Sequence, residues 1–208
     1  MNEAFINEDE AEIIKGRILG EAVQIMFKGA FHGLGINKLA VALDMTEEEI
    51  YAQFNNKDEI YLEIQKRGFE LLGGLFSQVS AQNISPREKI RRMAVVYVSF
   101  GLENSAYYEV MFNRQGPKYA DYKDTPMEPA ALAEKMAALQ VLVNVETAVR
   151  EVLSETPNAA DADIWERVIR GWMLLHGYIS LINNRTLQEL EAQPTDLLEG
   201  ILDSLTSI

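Results

Sequence analysis

The chain contains no cysteine. Disulfides, thiolate metal sites and cysteine nucleophiles are thereby excluded, and the absence fits a cytoplasmic protein. Histidine is almost as scarce. His32 and His176 are the two present, without metal-ligand spacing between them, so neither a metal centre nor a cofactor is expected. No stretch approaches the ~18 uninterrupted apolar residues that a membrane-spanning helix needs. The first residues, MNEAFINEDEAEIIKGR, are acidic and carry no apolar core segment, so they are not read as a secretory signal. A soluble protein without membrane contact is expected. Positive charge is also in short supply: 19 Lys and Arg stand against 32 Asp and Glu, a formal net charge of −13. A chain this acidic repels a polyanion such as nucleic acid at long range. Residues 1–60 share the imbalance, with five Lys/Arg (Lys15, Arg17, Lys28, Lys38, Lys57) against twelve Asp/Glu, a balance of −7.

What the chain does have is apolar content, 48% over 208 residues. That is enough for a sizeable core, in one large domain or in a small head joined to a larger body. Helical spacing dominates and no convincing strand alternation occurs, so the fold class is all-α. A first helix is expected over residues 9–28, with Ile14, Ile18, Ala22, Ile25 and Met26 as its apolar stripe, broken by GAFHGLG. INKLAVALD gives two turns with Ile36, Leu39, Ala40 and Leu43 inward. Thr46 and Glu49 have capping-box spacing and start a short helix ending near Phe54.

A long helix over 57–82 should bury Ile60, Ile64, Leu71, Leu75 and Val79. Gly73-Gly74 interrupts that pattern, either for close packing or as a pliable joint, since each Gly costs roughly 1 kcal/mol of helix propensity against Ala. Ser85-Pro86 starts the next helix, SAYYEVMFNRQ makes a short aromatic one, and GPKYADYKDTPMEP reads as a loop. A helix over 129–155 has its stripe at Leu132, Met136, Leu139, Val143 and Val149, and TPNAADAD separates it from the next.

The last two helices are expected over 164–183 and 195–206. The stripe Ile164, Val168, Trp172, Leu175, Ile179 and Ile182 is widened by Met173, Leu174 and Leu181. So much apolar circumference needs cover on two sides. An isologous homodimer through a four-helix bundle is therefore expected, using Val168, Leu175, Ile179 and Ile182 with Leu198, Ile201, Leu202 and Leu205.

The order of elements, and the residues ILGEA, Phe31, INKLAVAL, Met45-Thr46, Ile50-Tyr51, Phe54 and NKDEI within 18–60, resemble the TetR family of ligand-responsive bacterial repressors. GWMLLHGYISL is similar to a W-x-x-x-H-G signature of one subgroup of the family's C-terminal domains, and YYEVMF to a segment that accompanies it. The resemblance implies a helix-turn-helix DNA-binding head over residues 1–56 and a ligand-binding and dimerisation body over 57–208. It also implies a transcriptional repressor rather than an enzyme. Phosphate contacts carry over to Tyr51 and Lys57, the latter also at a helix N-terminus that favours anions. Gln53 keeps hydrogen-bonding capacity toward adenine edges. With Lys38 and Thr46 these are the candidate DNA-contacting residues, although Tyr51 reads equally well as a ring supporting the motif.

Departures from the family pattern cluster in the head. Asp44 stands where Gly is usual, Leu34-Gly35 where a hydroxyl residue is expected before Ile36, and Glu47, Glu48 and Glu49 where small or basic residues are common. Carboxylates in a first turn stabilise their own helix by ~0.3–1 kcal/mol each. Facing phosphates, they can cost several kcal/mol. Two readings stay open: a regulator that binds double-stranded DNA, or a dimer of the same fold that binds a small molecule or a protein and has lost DNA binding.

The body supplies Met93, Tyr97, Phe100, Tyr108, Met111, Phe112 and Trp172, either plain core or the lining of a pocket for a small apolar or aromatic effector, with residues 116–129 as its entrance. His176 is one turn from Trp172 and joins that set as a core, interface or ligand-contacting residue. No nucleophile or paired-carboxylate motif stands beside it, so catalysis is not expected. In the regulator reading, effector binding changes the separation of two heads that must lie roughly 34–36 Å apart to occupy successive major grooves.

Overall fold

The computed structural model describes residues 3–113, 115–154, 161–190 and 193–207. The expected TPNAADAD connection falls largely outside them, as do the side chains of Phe31 and His32. Eleven α-helices and one π-turn occur among the described residues, and no strand. The chain forms two compact units. One holds the residues up to Gly68 together with Ala106–Met136, the other Phe69–Ser105 together with the residues from Ala137 onward. The first unit takes in the expected head and adds a segment from the middle of the chain, a grouping that differs from a division at residue 57.

In the first unit, α1 (Glu3–Gly33) runs through the glycines expected to break it and stops only at Leu34-Gly35. Its stripe is as expected: Ile18, Ala22 and Met26 are fully buried and Ile14 and Ile25 pack beside them. They meet Leu39 and Ala40 of α2 (Ile36–Leu43), Ile50 of α3 (Glu47–Tyr51) and Ile60 and Ile64 of α4 (Lys57–Ser80). Val110 belongs to the same core, with Ala106 and Tyr107 packed against it. It lies in the π-turn Glu109–Asn113 that follows α6 (Ser105–Tyr108), so what was expected as one aromatic helix changes its winding halfway. A short helix, α7 (Tyr119–Tyr122), occupies part of the expected loop, and α8 (Glu128–Leu153) begins after it.

The second unit is built on α5 (Pro86–Glu103), started by Ser85 and Pro86 as expected. With it are α9 (Asp161–Asn183), the unforeseen one-turn α10 (Thr186–Glu189) and α11 (Pro194–Thr206). Ile90, Ala148, Val149, Val152, Leu153, Ile164 and Val168 form its core.

Three expectations need correction. α4 is continuous through Gly73-Gly74. A Cβ at Gly73 would meet Val141 at an ordinary 3.7 Å and one at Gly74 would meet nothing, so neither glycine is required by close packing within this chain. The buried line of α4 also passes to Leu72 and Phe76, leaving Leu71 55% exposed. On α8 the expected stripe is turned outward: Leu132, Met136, Leu139 and Val143 are exposed and only Val149 of that set is buried. The smaller Ala131, Val141 and Ala148 face inward instead. With apolar residues on both sides of the helix, periodicity alone does not say which side finds a neighbour.

Candidate functional site

The α2–turn–α3 segment is a helix-turn-helix held by its own polar groups. α2 ends on Asp44 at φ 54°, in the left-handed region, with its N–H donating to the carbonyls of Ala40 and Val41. That backbone explains why glycine suits the position, and aspartate is among the few other residues that tolerate it. Thr46 then opens α3: its hydroxyl accepts from the Glu49 N–H at 3.2 Å, and the Glu49 carboxylate accepts from the Thr46 N–H at 2.7 Å. Those hydrogen bonds, the backbone one foremost, hold the Glu49 carboxyl below the usual carboxylate range. One of the three glutamates is therefore committed to its own helix start, while Glu47 and Glu48 are exposed. α3 is a turn shorter at its end than expected and stops at Tyr51.

The candidate DNA residues divide accordingly. Tyr51 is half exposed, Gln53 is half-buried just beyond α3, and Lys57 is the first residue of α4. The Lys38 ammonium instead donates to the Gly33 carbonyl at 3.1 Å, and the Thr46 hydroxyl serves the cap. At Gly35, where a hydroxyl residue was expected, no side chain caps α2; Asn37 supplies an oxygen to the Lys38 N–H at 2.8 Å.

The candidate ligand residues are divided between the two units. In the first unit, the Tyr108 and Phe112 rings lie 4.8 Å apart, and Met111 crowds Gly68 so closely that a Cβ there would come within 2.4 Å of its sulfur. In the second unit, Met93, Tyr97 and Phe100 are buried on α5. The Trp172 indole N–H donates to the Tyr97 hydroxyl at 2.9 Å, and the His176 ring lies 6.0 Å from that of Trp172.

A polar cluster that the sequence reading missed lies within the first unit. Gln65 is a buried polar residue whose amide donates to the carbonyls of Val110 and Met111, at 3.5 and 3.3 Å, in the π-turn. One turn earlier on α4, Tyr61 is fully buried, and a Cβ at Gly116 would sit 2.5 Å from its hydroxyl oxygen. Burial, then the charge of Glu134, pushes the Tyr61 phenol up to about 12, with a hydrogen bond to Gln65 pulling the other way. Tyr122 is 5% exposed, and its hydroxyl is buried without a hydrogen-bond partner. Burial raises its phenol further, followed by Asp58, Tyr61, Asp121 and Glu134. The Glu134 carboxyl is itself raised by burial, against the pull of Lys118. Nothing in the spacing of Tyr61, Tyr122 and Glu134 announces this association.

Four of the expected dimerisation residues need correction. Val168, Leu175, Ile179 and Leu202 are buried inside the protomer, and their periodicity reports its own core, while Ile182, Leu198, Ile201 and Leu205 are half-buried. Exposed apolar residues on the same helices are Trp165, Trp172, Met173, Leu174 and Leu181 of α9 and Leu197 of α11. A Cβ at Gly177 would meet no atom of this chain within 4 Å.

The fold is shared with solved bacterial regulators. A TetR-family transcriptional regulator from Bordetella parapertussis superposes with a TM-score of 0.72 at 13% identity, over 93% of this chain and 94% of that one. The TetR-family regulator PfmR from Thermus thermophilus gives 0.70 at 17% identity, over 91% and 97%. The regulator FadR from Bacillus subtilis, in complex with stearoyl-CoA, gives 0.66 at 14% identity, over 92% and 97%. Among curated proteins, none matches this chain significantly in sequence. No helix among the described residues is long and apolar enough to cross a membrane. The family model for the tetracyclin repressor-like C-terminal domain matches residues 90–205, more than half of the chain. With that match, the all-helical fold and the capped helix-turn-helix in hand, the chain belongs to the TetR family, whose fold is that of transcriptional regulators.

Proposed function

We propose that this chain is a ligand-responsive transcriptional repressor that binds double-stranded DNA as a homodimer in the cytoplasm and carries out no catalysis. Residues 1–56 are assigned to DNA and residues 57–208 to ligand and partner. The observation that carries this reading is the left-handed turn at Asp44 leading into the Thr46–Glu49 cap, which sets α3 against α2 as a helix that can enter a major groove. Tyr51, Gln53 and Lys57 are the residues assigned to DNA contact. The effector is apolar or aromatic in its main body, a reading supported by the stearoyl-CoA bound to the Bacillus subtilis regulator. The partner copy is assigned to Met173, Leu174 and Leu181 around Gly177 on α9, with Leu197 on α11, because these are apolar and exposed. A Leu174→Glu variant should run at half the wild-type mass in light scattering.

The test of DNA binding is fluorescence anisotropy with the chain's own promoter DNA and random DNA, across a salt series. Wild-type protein is expected to prefer the promoter, with affinity falling steeply as salt rises. Glu47→Ala and Glu48→Ala together should strengthen non-specific binding. Binding that emerges only in that double variant would instead identify a TetR-fold dimer that takes a small molecule or protein and no longer reads DNA.

A further inference from the structure

We propose that Glu48 is a base-reading residue whose carboxylate selects cytosine at one position in each half of the operator. This rests on the DNA-binding reading above and names a specificity determinant of that same helix. α3 is anchored by Ile50, fully buried in the core shared with α1, α2 and α4. At about 3.6 residues per turn, residue 48 points about 160° away from residue 50, nearly opposite it. Ala52, whose backbone is still right-handed helical, lies beside it on that outward line, and the half-exposed Tyr51 flanks both. The three glutamates thus differ in direction as well as in bonding. The Glu49 carboxylate is turned back onto Thr46. Glu47 lies only about 60° from the buried line, at the rim of the helix. Glu48 stands in the middle of the face that α3 turns away from its core. It is exposed, and its side chain makes no hydrogen bond or ion pair among the described residues.

A helix of this kind meets base edges with the outward residues of its N-terminal part. There the short Ala52 reaches little, and Thr46 and Glu49 are folded onto each other, so Glu48 is the polar group left to extend into the groove. An ionised carboxylate accepts hydrogen bonds and donates none. Guanine presents the acceptors O6 and N7, and thymine presents O4 and a methyl group, so neither offers it a donor. Adenine offers its N6 amino group beside the acceptor N7. Cytosine offers its N4 amino group with no acceptor on its own edge. Against the other bases the carboxylate loses water without gaining a full partner. The same charge is repelled by phosphates when the helix rests on the backbone of unrelated sequence. One side chain thereby rewards a single base and penalises the alternatives, which widens the ratio of specific to non-specific affinity without raising affinity overall.

The test selects duplexes from a random pool with the full chain at low salt, then measures the best one by anisotropy with each of the four bases at every position in turn. The expected result is one position per half-site at which cytosine binds about ten-fold or more tighter than guanine or thymine. Glu48→Ala should abolish the preference at that position and leave the others in place. Glu48→Gln should weaken it and admit adenine, whose N6 and N7 match a side-chain amide. Both variants should keep the wild-type melting temperature to within a few degrees, because the replaced side chain is exposed and unpaired. Wild-type protein that binds duplexes with no cytosine preference at any position, a preference that survives in Glu48→Ala, or a folded Glu48→Ala variant that binds no duplex would each overturn the proposal and leave the DNA-binding reading standing. Wild-type protein that binds no duplex at low salt would overturn both.

Discussion

The helix-turn-helix and the tyrosine cluster lie in the same compact unit and treat polar groups in opposite ways. In the turn, each noted polar side chain closes on nearby backbone: Thr46 on Glu49, Glu49 on Thr46, Asn37 on Lys38, Lys38 on Gly33. In the cluster, a hydroxyl is taken out of water and left with no acceptor or donor. The difference teaches which polar residues are structural. A satisfied local bond stabilises the conformation that makes it, whereas a buried unsatisfied group costs the folded protein stability.

The largest effect expected from this comparison is at Gly116. A Gly116→Ala methyl would collide with the fully buried Tyr61 ring and cost about 2 kcal/mol, read as a loss of several degrees in melting temperature; an unchanged value would mean that the loop is not held against Tyr61. Next is Thr46→Ala, which removes the cap and should cost about 1 kcal/mol, with Thr46→Ser restoring most of it in denaturant titration. Tyr122→Phe should go the other way, neutral to about 1 kcal/mol more stable, because it deletes an unmatched hydroxyl and keeps the shape. A clear destabilisation there would place Tyr122 on the structural side of the comparison.

The smallest effect is one of pH. Glu134 has a carboxyl raised above its ordinary 4.5, first by burial. The folded state thus binds its proton more tightly than the unfolded chain does, so the associated stability is present below 4.5 and lost as pH rises through the raised value. Glu134→Gln should therefore stabilise the protein at pH 7.5 and have little effect at pH 4. The same gain at both pH values would remove burial of the charge as the cause.

How much of this was legible in the sequence follows from the range of the forces involved. The cap at Thr46 and Glu49 and the Ser85-Pro86 start are set within four residues, and the structure has both as expected. On α1 the stripe read from the sequence is the one that packs, although Ile13 and Phe27 are apolar and exposed. α8 was misread because Leu132, Met136, Leu139 and Val143 lie on one side and Ala131, Val141 and Ala148 on the other, and only tertiary packing chooses between them. Val168, Leu175, Ile179 and Leu202 were assigned to a partner because a periodic stripe does not reveal whose core it enters. Tyr61, Tyr122 and Glu134 could not be found at all. Their association depends on α4, α7 and α8 meeting, with Tyr61 and Tyr122 61 positions apart in the chain.

Val110 lies in the core of the helix-turn-helix and Gln65 bonds to the π-turn that holds it, so the proposed DNA contacts and the middle of the chain share one compact unit. The most direct measurement is anisotropy with promoter and random DNA across a salt series. Preference for the promoter, with affinity falling steeply as salt rises, is predicted; wild-type protein that binds neither DNA at low salt would contradict the regulator reading.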